Sequence, residues 1–95
     1  MSTFILTFRG ATDRTLSEAD GAAWMAWFGE LGFAIIDAGS RVGATSTLGT
    51  APSATAVTGY TIVQADDLDA ALVLANGCPG LSQGGGVEVG ELIAM

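Results

Sequence analysis

GYTIVQADDLDAALVLANGCPGLSQGGGVEVGE, residues 59–91, decides the fold. Ala56–Ala65 holds Val57, Tyr60, Ile62 and Val63, residue types that pack well on a pleated surface, and reads as a strand. Asp66 is expected to cap the following helix, with Asp69 at N3. Three carboxylates at a helix start complement its dipole. Leu68, Ala71, Leu72 and Ala75 supply an apolar stripe. Gly77 stops the helix and Pro79 prevents its resumption. Leu81–Gly86 reads as a glycine loop, and Val87–Ile93 as a last strand with Val87 and Val89 on one face and Glu88 on the other. This is a βαβ half.

Working outward, Thr3–Phe8 alternates, with Phe4, Leu6 and Phe8 on one face and Thr3, Ile5 and Thr7 on the other, and reads as the first strand. Gly10–Thr15 is a polar connection. Ser17 and Asp20 form a capping box, with Asp in place of Glu. Trp24, Trp27, Phe28, Leu31 and Ile35 then fall on one helical face. One reading ends this helix near Gly32 and makes Phe33–Asp37 a strand. The continued stripe through Leu31 and Ile35, with Gly39 as a C′ residue, favours a single helix to about Ala38. Ser40–Gly49, where Val42, Ala44, Ser46 and Leu48 alternate with their neighbours, is then the second strand. Thr50–Thr55, with Pro52, reads as an exposed turn.

The resulting order is βαββαβ in one domain spanning residues 1–95. Each βαβ unit crosses right-handed. The expected fold is α+β and ferredoxin-like, a four-stranded antiparallel sheet with two helices on one face. The second face then needs water or a partner. A chain this short buries only roughly 60–65% of its unfolded surface, yet 49% of its residues are hydrophobic and its mean hydropathy is +0.50. That excess points to burial against a second copy.

The same residues resemble a known family. GYTIVQADDLDAALVLANGCP followed by GGGVEV resembles the C-terminal half of the YCII-related (DGPF-domain) proteins. WMAWFGELG with DAGSRVG resembles their Trp-rich first helix and the glycine turn after it. The resemblance covers Phe4 to Glu91. It implies a ferredoxin-like fold and sheet-to-sheet pairing of two chains as a dimeric α/β barrel. Some members carry a His paired with an Asp, proposed as a catalytic dyad. This chain has no His, lacks the Asp-Gly-Pro-Phe tetrapeptide, and is short around Thr50–Thr55 where many relatives are longer. The resemblance therefore supports fold and dimer more than catalysis.

Composition excludes several functions. Net charge is −7, and the only cations are Arg9, Arg14 and Arg41. Nucleic-acid and anionic-membrane binding need clustered cations, so neither partner is expected. The charge-free stretches Val42–Ala65 and Ala70–Val87 are broken by Gly and Pro, so no membrane span is expected. MSTFILTFRG has no basic residue before its short apolar stretch, so no secretory leader is expected there. The single Cys78 fits a reducing, cytoplasmic setting.

No cofactor or metal site is expected. One Cys and no His leave no zinc pattern, and Ser and Thr lack a His to activate them. Asp66, Asp67 and Asp69 are explained by capping without a cation. Gly84–Gly86 precedes a strand, so it lacks the helix start of a phosphate loop and reads as a connector. The candidate ligand-binding residues are Arg9, Arg41 and Tyr60 at the uncovered face, with Trp24 as an aromatic wall; Trp24 and Trp27 also suit the helix-to-sheet core. Arginine in a cleft can hold a carboxylate or phosphate. Three functions follow as expectations. The first is a homodimer whose inter-subunit cleft binds a small anionic metabolite. The second is a lyase- or isomerase-type enzyme using a carboxylate whose pKa is raised by burial. The third is a structural dimerisation module.

Overall fold

The computed structural model describes residues 1–94. The chain runs β1 (Ser2–Ala11), α1 (Glu18–Leu31), β2 (Ile35–Arg41), β3 (Thr55–Ala65), α2 (Leu68–Ala75) and β4 (Gly86–Glu91), with short 3-10 turns at Gly32–Ala34 and Pro79–Ser82. The strands lie in the order β2-β3-β1-β4, and every neighbouring pair is antiparallel. Each helix therefore links two parallel strands across an intervening one, an α+β arrangement compatible with the ferredoxin-like fold.

The core follows from the alternation in β1. Phe4, Leu6 and Phe8 are buried and sit opposite Val63, Thr61 and Gly59 of β3. Trp27 and Leu31 of α1 and Ala71 and Ala75 of α2 close over the same face, so both helices cover one side of the sheet. Small residues on α2 let its backbone lie close to the strands. The Trp27 indole N–H donates to the Leu74 carbonyl at 3.3 Å, joining the two helices. Thr61 is fully buried, and its hydroxyl donates to the Ala38 carbonyl at 3.0 Å. That bond removes the penalty of burying it.

The first helix is shorter than the sequence pattern suggests. It ends at Leu31, and Gly32 caps it with φ +50°, donating its N–H to the Phe28 carbonyl. Ile35 keeps its place in the core, but from β2, where it pairs with Val63. The stripe thus continued through a change of element. Ile35 and Ile36 are β-branched and favour the strand, and Phe33, between helix and strand, is fully exposed.

The second strand is accordingly Ile35–Arg41; of the expected Ser40–Gly49 segment only Ser40 and Arg41 are in it. Residues 42–54 form an irregular connection. Their alternation offers mostly small side chains to any core, and Leu48 is 96% exposed. Gly39 does take a positive φ, +78°, but inside β2, where pairing steps from Asp37↔Ile62 to Ser40↔Tyr60. Asp37 Oδ1 accepts the Gly39 N–H at 2.8 Å and steadies this step.

Smaller differences concern the element ends. Asp67, not Asp66, caps α2 and accepts the Ala70 N–H at 2.8 Å. Leu68 and Leu72 are about half exposed, so the buried stripe of α2 runs through Ala71 and Ala75, supported by Ala70 and Leu74. Pro79 opens a 3-10 turn, because its fixed φ suits the first position of a helical turn. The strand β1 reaches Ala11 and β4 ends at Glu91.

Two glycine substitutions separate backbone strain from helix propensity. A Cβ on Gly39 would run into the Tyr60 carbonyl. Gly39→Ala should therefore lower stability by at least about 2 kcal/mol. A Cβ on Gly29, inside α1, meets nothing within 4 Å, so Gly29→Ala should stabilise by about 0.5–1 kcal/mol. Denaturant unfolding of both variants checks the contrast.

Candidate functional site

Register places two sets of side chains where a ligand or partner can reach them. The first is the helix-free sheet face. Residues alternating with Phe4, Leu6 and Phe8 point there, and strand pairing aligns them in rows. Thr7 lies opposite Tyr60 on β3 and Glu88 on β4, and Ser40 of β2 lies opposite Tyr60. A polar row Ser40–Tyr60–Thr7–Glu88 thus crosses all four strands. Ile5 lies opposite Ile62 in the adjacent row. Ile5, Thr7, Tyr60 and Ile62 are half-buried and Glu88 is exposed.

The second is a cleft of about 100 Å³ where the α1 end of the helix layer meets β1 and the Pro79–Ser82 turn. Arg9, Arg14, Leu16, Trp24, Thr58 and Gln83 line it. The turn comes close because Gly85 has no side chain; a Cβ there would strike the Arg9 carbonyl. Local capping sets its rim. Asp20 N–H donates to Ser17 Oγ at 3.1 Å, and Ser17 N–H donates to Asp20 Oδ2 at 2.9 Å, the reciprocal box expected from the sequence. Arg14 then bridges the chain, donating to Asp20 Oδ1 at 3.1 Å and to the Gln83 carbonyl at 3.1 Å. Trp24 Nε1 donates to Gln83 Oε1 at 3.0 Å.

Electrostatics divide the three arginines. Among the described residues only Arg14 makes an ion pair, with Asp20. The Ser17 N–H holds the Asp20 carboxyl below its ordinary range against the opposing push of desolvation, and Arg14 and the Ser17 hydroxyl add to the lowering. Arg9 is held by a neutral group, its Nε and Nη2 donating to the Thr55 hydroxyl and carbonyl, each at 2.9 Å. Arg41 pairs through its backbone with Gly59 at the end of β2 and is exposed. Burial pushes the Cys78 thiol up, against the pull of the Gly80 and Leu81 N–H groups, so Cys78 stays a neutral core residue.

Of the four residues singled out in the sequence, Trp24 lines the cleft, while Arg9 borders it with its backbone and, alternating with Phe8, turns its guanidinium to Thr55 on the helix-free face. Tyr60 stands on the open sheet face, and Arg41 lies at the end of β2. Arg14 and Gln83 escaped sequence reasoning because one falls in a polar connection and the other in a glycine-rich loop. No group of three or more His, Cys, Asp or Glu side chains able to hold a metal occurs among the described residues. No helix among them is long and apolar enough to cross a membrane. No family model and no curated protein matches the chain.

Capping chemistry at the rim is open to measurement. Ser17→Ala should cost about 1 kcal/mol. Asp20 has a folded pKa below its unfolded one, so its contribution is present above about pH 4 and is lost as pH falls through the lower folded value. Thermal unfolding should place Asp20→Asn below the parent at pH 6, with the two converging near pH 2. A gap that persists at low pH would contradict this assignment.

Proposed function

We propose that the chain is a homodimeric small-molecule-binding module. Two copies pair their helix-free sheet faces as a dimeric α/β barrel, and a small anionic organic metabolite occupies the cleft they enclose. The observation that carries this reading is the character of that face. An antiparallel sheet facing water normally turns polar side chains outward. Here Ile5 and Ile62 sit side by side at its centre, between the two inner strands, with Tyr60 in the next row. The resemblance to YCII-related proteins favours the same pairing, and the single Cys78 suits a cytoplasmic setting.

In a paired arrangement the row Ser40–Tyr60–Thr7–Glu88 would supply the polar groups of the enclosed space. Hydroxyls from Ser40, Tyr60 and Thr7 would orient a ligand, as sparse polar groups do in apolar pockets. An enzymatic reading of the lyase or isomerase type draws on one of these residues. Glu88 is the carboxylate in that row and would serve as its general base.

Light scattering coupled to gel filtration tests the proposal. The expected mass is twice the 9.5 kDa of one chain. Ile62→Glu, which puts charge in the middle of the face, should give the single-chain mass with unchanged circular dichroism. A parent protein that elutes as a folded monomer at micromolar concentration would refute the pairing.

A further inference from the structure

We propose that Arg9, Glu88 and the bare position at Gly86 form a site on the helix-free sheet face for an apolar α-amino acid. The inference rests on the paired reading above and names its ligand, whose anionic group is the amino acid's carboxylate.

Register is the first argument. Residues directly opposite in an antiparallel pair share a face. Arg9 lies opposite Gly86 of β4, and Thr7, the preceding β1 residue on that face, lies opposite Glu88. Arg9 and Glu88 are therefore diagonal neighbours, about 7–8 Å apart along the sheet and within reach of one small molecule. Gly86 leaves the place beside Arg9 empty, and a Cβ built there meets nothing within 4 Å. Gly90, opposite Ile5, follows Glu88 on the same face. Glycines thus flank Glu88 there.

Charge is the second argument. Thr55 takes the Nε and Nη2 donors of Arg9. Neither Arg9 nor Glu88 makes an ion pair among the described residues. Nη1 has no hydrogen-bond partner among them, so the Nη1–Nη2 edge of the fork keeps parallel donors that match a carboxylate. Ionised Glu88 only accepts hydrogen bonds, and it repels an anion held beside it. A ligand that carries an ammonium next to its carboxylate satisfies both residues, and the enclosed charges then balance. An α-amino acid carries both groups on one carbon. Beyond Thr7, Ile5 and Ile62 form the next row and offer apolar contact to its side chain.

Calorimetric titration of the parent protein tests this with L-leucine, with 4-methylpentanoate, which lacks the ammonium, and with leucinamide, which lacks the carboxylate. Light scattering reads the mass of the same sample. Leucine should bind with a dissociation constant of about 1 mM, ordinary for a ligand of its size, and each analogue roughly tenfold more weakly. Glu88→Gln should weaken leucine roughly tenfold, while 4-methylpentanoate, relieved of the repulsion, binds no more weakly than before. Gly86→Val, which fills the bare position, should abolish leucine binding with circular dichroism unchanged. A sample of two-chain mass that gives no response to leucine at about 20 mM overturns the ligand and leaves the pairing standing. Equal affinity for leucine and 4-methylpentanoate, or a Glu88→Gln protein that binds leucine as the parent does, has the same consequence. A single-chain mass overturns the pairing and this site with it.

Discussion

Phe8 stands opposite Gly59, and both tryptophans of α1 meet its ring edge-on, with centroid separations of 5.0 Å to Trp24 and 5.7 Å to Trp27. Such T-shaped contacts are worth about 0.5–1.5 kcal/mol each beyond the area they bury. Their larger effect is geometric. Gly59 lets β2 pass, since a Cβ there would come 2.9 Å from the Ser40 carbonyl oxygen. With α1 anchored on Phe8 and tied to α2 through Trp27, the helix layer is committed to the face of Phe4, Leu6 and Phe8. The opposite face keeps Ile5, Thr7, Tyr60 and Ile62 without cover from the chain itself.

The same cluster connects fold to function. Trp24 belongs to the aromatic group on one side and to the cleft on the other, so the contact that seats α1 also sets one wall of the candidate site. Arg14 and Gln83 complete that site through bonds to Asp20 and Trp24, which makes the cleft a consequence of how α1 begins and how the chain turns at Pro79–Ser82. The open face and the cleft are therefore two products of one packing decision.

Much of this was legible in the sequence. The alternation of β1 and β4, the strand Ala56–Ala65 and the Ser17–Asp20 capping box rest on local periodicity or local hydrogen bonds, and each is present. The end of α1 was not legible, because Ile35 satisfies the helical stripe and the strand core equally well. Only β2's pairing with β3 separates the two. The alternation of Val42–Leu48 misled for a related reason, since small residues alternate without creating a face to bury. The cleft could not be read at all, as the Arg14–Gln83 bond joins positions 69 residues apart. The register puts Arg9 and Tyr60 on the open sheet face and Arg41 at the end of β2.

The claim on which the functional account rests is that the open face is covered in solution by a second copy. Its most direct measurement is the broadening of methyl resonances by a soluble paramagnetic agent. Ile5 and Ile62 should be protected, while Ile93, 79% exposed, and Val73, 75% exposed, should broaden strongly. Broadening of Ile62 to the same degree as these exposed groups would contradict the account.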